Sequence, residues 1–339
     1  MKIFGKLIII LSVIAIIIAG GAIAANIFIK PPSIPKIGGN GSSRPGLANS
    51  PDSLAESIAP PGVTDDDRRK DFYTFLIVGL DIGWNTDTIM VASYDAASKE
   101  ANIIGIPRDS LVNAERKVKK INAAFGAGAV NGGGNEGGIA QLKREIKTVI
   151  GFIPDFYMII NLKAFEEIVD AVGGVEVTAR MDMKYYDPTQ NLRIDIPKGT
   201  QKLDGSDALK FARYRRGSNN KNTISDYERI ENQQQVIKSL LSEVIKPSNW
   251  LKYPEFVRVF SDNVVTDLST TDLLWFIGQA KDISGADALT TYTMPTTGTS
   301  GLPMYYELLD KEKILELVNS TINPYTVEIK PEDVDIIKS

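Results

Sequence analysis

Two carboxylates, Asp81 and Asp87, flank a turn containing Gly83 and Asn85 between two apolar runs. At neighbouring strand ends they converge on a small volume, as oxygen ligands of Mg²⁺ require, with water and phosphate oxygens completing the octahedron. The same residue types also serve as plain turn formers. Arg108, in Ile106-Pro107-Arg108-Asp109, directly follows a strand-like run. Proline fixes the backbone there, and α/β folds place ligand sites at strand exits; a structural pair with Asp109 is the alternative. Arg213 and Arg215, in Phe211-Ala212-Arg213-Tyr214-Arg215-Arg216, point the same way if that segment is extended. Such a pair calls for an anion, and a diphosphate accepts several charge-assisted bonds of about 1.5–3 kcal/mol each; a solvated basic turn is the alternative. Asp226, Arg229 and Gln233 share one helix face, and Asp226 also suits a helix N-terminus electrostatically. Lys120 and Asn122 carry no signal by themselves.

The chain of 339 residues has neither Cys nor His. Disulfides and thiolate sites are thereby excluded, as are the Ser-His-Asp triad and imidazole general bases. Chemistry must rest on carboxylates, Lys, Arg, Tyr, hydroxyls or a hard cation. A net charge of −4 gives no general basic excess of the kind that marks a nucleic-acid surface, so nucleic acid is not an expected partner.

These residues must be positioned by alternating strands and helices. Strands are expected at Phe72 to Leu80, Thr88 to Tyr94, Ala101 to Ile106, Phe156 to Asn161, Leu192 to Ile196 and Leu289 to Met294. Helices are expected at Ile139 to Ile150, Leu162 to Val172, Asp204 to Ala212, Thr271 to Ile283 and Lys311 to Ile322. The clearest helix begins near Asp226, where Ser225 and Glu228 form a capping box, and ends before Pro247. Asn131 to Asn135 reads as a mobile loop and, without a following Gly-Lys-Ser/Thr, is a poor phosphate loop. The pattern argues for an α/β layered domain with a mixed sheet.

Upstream, residues 7–29 carry no charge. About 23 residues at 1.5 Å rise give roughly 34 Å, enough for a transmembrane anchor across a ~30 Å hydrocarbon core. Lys2 and Lys6 place residues 1–6 in the cytoplasm and the rest outside. Cleavage as a secretory signal after Ala22-Ile23-Ala24 is the alternative. Residues 30–70 read as a flexible linker with a reach of roughly 35 Å, residues 71–325 as the extracytoplasmic domain and 326–339 as a tail.

In sequence order the motifs resemble the LytR-CpsA-Psr family of cell-wall ligases. The matching stretches are Phe75 to Asp81, Thr86-Asp87-Thr88, Ile106 to Asp109, Lys120 to Ala124, Val172 to Val177, Leu203-Asp204-Gly205, Arg213-Tyr214-Arg215, and Asp226 with Arg229 and Gln233-Gln234. The resemblance implies a three-layer α/β/α domain with a central mixed sheet and an apolar pocket for a polyprenyl chain. It implies transfer of a glycopolymer from undecaprenyl diphosphate to a peptidoglycan hydroxyl, with Asp81 and Asp87 at a Mg²⁺ (or Mn²⁺) site. Arg108, Lys120, Arg213, Arg215 and Arg229 would bind the diphosphate, with Gln233 beside them, and Asp226 matches a family acidic position. A diphosphate hydrolase and a non-catalytic polymer-binding regulator are the competing functions. The sequence departs from the pattern at Asn85 and Asn232, where Arg is frequent, and at Arg216, where His is.

Overall fold

Residues 72–80 are apolar on both faces, which suits a strand covered from two sides. In the computed structural model, which describes residues 30–37, 58–80, 84–188, 192–218, 222–246, 248–249, 253–280, 289–299 and 304–337, this segment is the strand next to the middle of a six-stranded sheet. The elements in chain order are β1 (Phe72–Leu80), β2 (Thr86–Asp95), β3 (Glu100–Gly105), α1 (Ala123–Gly128), α2 (Gly134–Ile150), β4 (Phe156–Asn161), α3 (Leu162–Ala171), β5 (Val175–Ala179), β6 (Met183–Asp187), β7 (Leu192–Ile196), β8 (Gly199–Leu203), α4 (Gly205–Arg213), α5 (Asp226–Ile245), α6 (Tyr253–Asn263), β9 (Val264–Thr266), α7 (Thr270–Ala280), β10 (Leu289–Thr293), β11 (Thr296–Thr299), β12 (Glu307–Leu309) and α8 (Lys311–Thr321). The sheet runs β10-β3-β2-β1-β4-β9. β1 pairs antiparallel with β2 and parallel with β4, so the sheet is mixed.

Alternating side chains of β1 divide the core. Leu76 and Val78 join Ile89, Val91 and Ile104 beneath α2 and α8, which contribute Ile139, Leu142, Ile314 and Val318. Tyr73 and Phe75 face the other way with Met90 and Ile103, against Trp275 and Phe276 of α7 and Ile237 and Leu241 of α5. Helix layers on both faces make the expected three-layer arrangement. A further cluster joins the antiparallel pair β5 and β8 to α4 and α5 through Val175, Val177, Leu203, Phe211 and Val236. The segment at 192–196 is a strand, but it pairs with β6 outside the central sheet.

Two expectations need correction. Residues 131–135 do not form a loop: Ala129–Gly133 is a π-helical turn that runs into α2. The flanking helices approach closely through glycine: a Cβ on Gly128, at the end of α1, would lie 2.1 Å from the carbonyl oxygen of Gly137 in α2. The boundaries at 70 and 325 also fall inside packed structure. Ala59, Ile329, Val334 and Ile336 belong to the core under α2 and α8. The two ends are tied together by the amide of Arg69 donating to the Pro324 carbonyl at 2.9 Å and that of Thr326 to Asp67 at 2.8 Å. The expected span at 7–29 and the carboxylate Asp81 lie outside the described residues. Among the described residues no helix is long and apolar enough to cross a membrane.

Candidate active site

A cavity of about 1000 Å³ lies between the sheet and the helices α3, α5, α6 and α7. Its walls are apolar: Phe75, Ile77 and Met90 from the sheet, with Phe165, Leu241 and Phe276 from the helices. The mouth is charged. Among the described residues, five arginines (Arg108, Arg213, Arg215, Arg216 and Arg229) and one carboxylate, Asp87, line it with Gln233, an excess of four positive charges. An apolar volume closed by such a cluster fits an amphiphile with an anionic head.

Local structure sets each of these side chains. Asp87 is the second residue of β2, and Arg108 leaves the sheet just after β3. Arg108 Nη1 donates to Asp87 Oδ1 at 2.6 Å, so the alternative pairing with Asp109 is not the one adopted. Asp109 instead accepts from Lys120 Nζ at 2.9 Å. Residues 107–122 fold back on themselves, bridged antiparallel between Leu111 and Lys120. The Asn122 amide donates to the Arg108 carbonyl at 3.1 Å, which holds Lys120 beside the strand exit.

Arg213 is the last residue of α4, whose start is capped by Asp204 accepting from the Asp207 amide at 2.8 Å. Tyr214 then turns extended and buries its ring, and its hydroxyl donates to the Asn222 carbonyl at 2.8 Å. With Tyr214 directed into the core, Arg213 and Arg215 both face the cavity mouth.

The capping box at Ser225 and Glu228 starts α5, and hydrogen bonds from Ser225 hold the Glu228 carboxyl below its usual range. One turn on, Arg229 is only 3% exposed. Its Nη2 donates to Asp226 Oδ1 at 2.8 Å. Burial pushes its pKa down, opposed by Asp226; Arg108 lowers it further, Asp87 raises it and Arg215 lowers it. The guanidinium stays charged all the same, because arginine does not deprotonate in proteins. Among the described residues, Arg108 Nε, Arg229 Nε and Asp226 Oδ2 are buried without a hydrogen-bond partner. Such groups are costly when left alone, and a polar ligand or water at the mouth would satisfy them. α5 lies close enough to present them because Gly105 has no side chain: a Cβ there would lie 2.5 Å from Ile230 Cγ2. Gln234 Nε2 donates to the Tyr292 carbonyl at 2.7 Å and fixes the helix beside β10.

Asp87, Arg108, Arg213, Arg215, Arg229 and Gln233 are thus brought together. Asp226 stands behind Arg229, and Lys120 lines a second, shallower depression of about 660 Å³ that shares Asp87, Arg108 and Arg215 with the cavity. Among the described residues no three acidic side chains cluster as a metal cage. Asp87 alone, in a chain without thiols or imidazoles, still fits a hard dication that takes its remaining ligands from phosphate and water. Sequence reasoning passed over Tyr305 and Glu307, which β12 brings against Asp109 and Leu111. The signal available was the Tyr305-Tyr306-Glu307 triplet itself. Arg216, noted only as a departure, adds a fifth cation to the mouth. Asn232 is buried with its Nδ2 unpartnered.

The LytR_cpsA_psr family profile matches residues 48–323. The chain belongs to that family. Among curated relatives within it, a polyisoprenyl-teichoic acid–peptidoglycan teichoic acid transferase TagU of Enterococcus faecalis is 27% identical over 60% of this chain and 64% of its own length. The regulatory protein MsrR of Staphylococcus aureus is 25% identical over 62% of this chain and 59% of its own length. The chain therefore matches about three fifths of these two proteins. A TagU from Oceanobacillus iheyensis is 28% identical over 77% of this chain and 78% of its own. The fold is shared with the crystal structure of Bacillus subtilis TagV, at a TM-score of 0.60 and 22% identity over 74% of this chain and 97% of that one. TagT bound to LI-WTA gives a TM-score of 0.60 at 21% identity, over 76% of this chain and 92% of that one.

Proposed function

We propose that the protein is a phosphotransferase that moves a glycopolymer from a polyprenyl diphosphate donor onto a peptidoglycan hydroxyl. The observation that carries this reading is the apolar cavity closed by five arginines and Asp87. The TagU relatives are named for the corresponding transfer of teichoic acid. The isoprenoid tail fills the cavity by hydrophobic burial. Its diphosphate meets Arg108, Arg213, Arg215 and Arg229 at the mouth, with Lys120 and Gln233 beside them. Phosphoryl transfer needs positioning and neutralisation of developing charge, which the guanidinium groups gathered at the mouth provide.

In the proposed reaction the acceptor oxygen forms a bond to the phosphorus that carries the glycan. The bond from that phosphorus to the bridging oxygen breaks, and the electron pair leaves with the lipid phosphate. The acceptor proton is assigned to Asp226 Oδ2, the carboxylate oxygen without a partner. Mg²⁺ or Mn²⁺, held by Asp87 with Asp81, would add charge neutralisation at the diphosphate oxygens. An anchor at 7–29 would keep the site on the outer membrane face, where such a donor is found.

The test incubates the full chain in detergent with a lipid-diphosphate glycan and peptidoglycan oligomers. Polymer joined to peptidoglycan is expected. Release of free glycan phosphate without joining would make the protein a hydrolase, and an intact donor would leave only a binding role.

A further inference from the structure

We propose that the shallow depression beside the arginine cluster binds a pyranose ring of the acceptor glycan, with the exposed ring of Tyr305 as its stacking platform. This rests on the transferase reading. The depression, about 660 Å³, is lined by Asn85, Lys120, Asn122, Met304 and Tyr305, and it abuts the cavity across Asp87, Arg108 and Arg215. Amides and cations around an aromatic face are the complement of a sugar, whose hydroxyls seek polar partners while its C–H face packs on the ring.

A single exposed tyrosine needs no explanation. Tyr305 differs because it is held. The residue is 51% exposed, yet its hydroxyl donates to Glu307, which is only 5% exposed. That hydrogen bond, then burial and the nearby carboxylates, push the phenol's ionisation well above its usual range, so it stays a neutral donor. Glu307 is fixed in turn: its amide donates to the Asp109 carbonyl at 3.0 Å, and its carbonyl accepts from Leu111 at 2.9 Å. The ring is thereby referenced to the same segment that carries Arg108 and Lys120, and Lys120 Nζ lies 5.8 Å from its centroid. A platform already ordered in the free protein loses little entropy when a ligand binds.

The choice of acceptor over donor sugar follows from the reaction geometry. With the tail in the cavity, the leaving lipid phosphate lies on the cavity side of the phosphorus. The attacking and leaving oxygens stand roughly in line, so the nucleophile enters from the opposite side, where the depression is.

The experiment measures initial rates of the full chain in detergent, varying a soluble N-acetylglucosamine–N-acetylmuramic acid oligomer at saturating donor, and the converse. Tyr305→Ala is expected to raise the acceptor KM about tenfold, as loss of an aromatic anchor does, and to leave the donor KM within about twofold. Tyr305→Phe, which keeps the ring, should fall between. An unchanged acceptor KM, or a rise confined to the donor KM, overturns the assignment. Titration of the same oligomer into wild type and Tyr305→Ala without donor separates the two readings. If wild type binds the oligomer more tightly than the variant but transfers nothing, the subsite stands and the transferase reading fails. If wild type transfers and the variant shows the same acceptor KM, the subsite fails alone.

Discussion

Replacing Arg229 by Met tests whether the buried pair at the head of α5 serves structure, chemistry or both. Arg229 and Asp226 are joined at 2.8 Å, with side-chain exposures of 4% and 13%. Removing the cation strands a carboxylate that has one oxygen already unpartnered. Breaking a buried pair from one side costs about 3–5 kcal/mol, and the partial exposure of Asp226 argues for about 3 kcal/mol. In a domain of this size that lowers Tm by about 6 °C. Asp226→Asn in the same chain removes the stranded charge and should return about 2 kcal/mol of this, a coupling typical of contacting residues. Turnover should behave differently. Loss of a fixed donor at developing charge costs about a hundredfold or more in kcat, and the double variant should stay inactive because both the diphosphate ligand and the proton acceptor are gone. Scanning calorimetry and polymer-transfer rates on the four proteins of the cycle are the assay. Additive stability effects would refute the buried pair, and recovery of turnover in the double variant would refute the catalytic assignment.

Met158→Trp, on the sheet wall of the cavity, should fill space meant for the lipid tail and raise the donor KM several-fold; a donor KM equal to that of wild type would argue against lipid occupancy. Burial, then the charges of Asp71 and Asp155, pushes the Tyr73 phenol up to about 12. Because the folded value lies above the unfolded value near 10, the stabilisation is complete below about pH 10 and is lost as pH rises towards about 12. Tyr73→Phe should flatten that alkaline decline in denaturant titrations, and an identical decline in both proteins would contradict the burial argument.

The parts legible in the sequence were those with strong local signals. The buried runs at 72–80 and 156–161 and the capped start of α5 follow from hydrophobic pattern and capping chemistry, and the structure keeps them within a residue. The short strands β5, β6 and β8 went unread, although Val175, Val177 and Ala179 alternate with exposed residues. They lie outside the central sheet, are only five residues long and compete with turn signals on both sides. The glycine run at 131–135 misled because its composition suits a loop, whereas the chain there continues in helical turns, and the tight backbone contact that demands glycine lies between Gly128 and Gly137. Within the site, motif order placed the arginines. Pairing could not be read that way: Arg108 takes Asp87 rather than its neighbour Asp109. Tyr305 depends on β12 docking beside residues 109–111, a contact spanning nearly 200 positions that no local pattern encodes.

Transfer of a phosphoryl-linked glycan at the arginine cluster is read directly by ³¹P NMR of the complete reaction. With donor, acceptor, Mg²⁺ and the full chain, the two diphosphate resonances should give way to one lipid monoester and one phosphodiester in equal amounts, with Arg108→Ala leaving the diphosphate intact. Two monoesters and no phosphodiester, or a diphosphate consumed equally well by Arg108→Ala, would contradict the account.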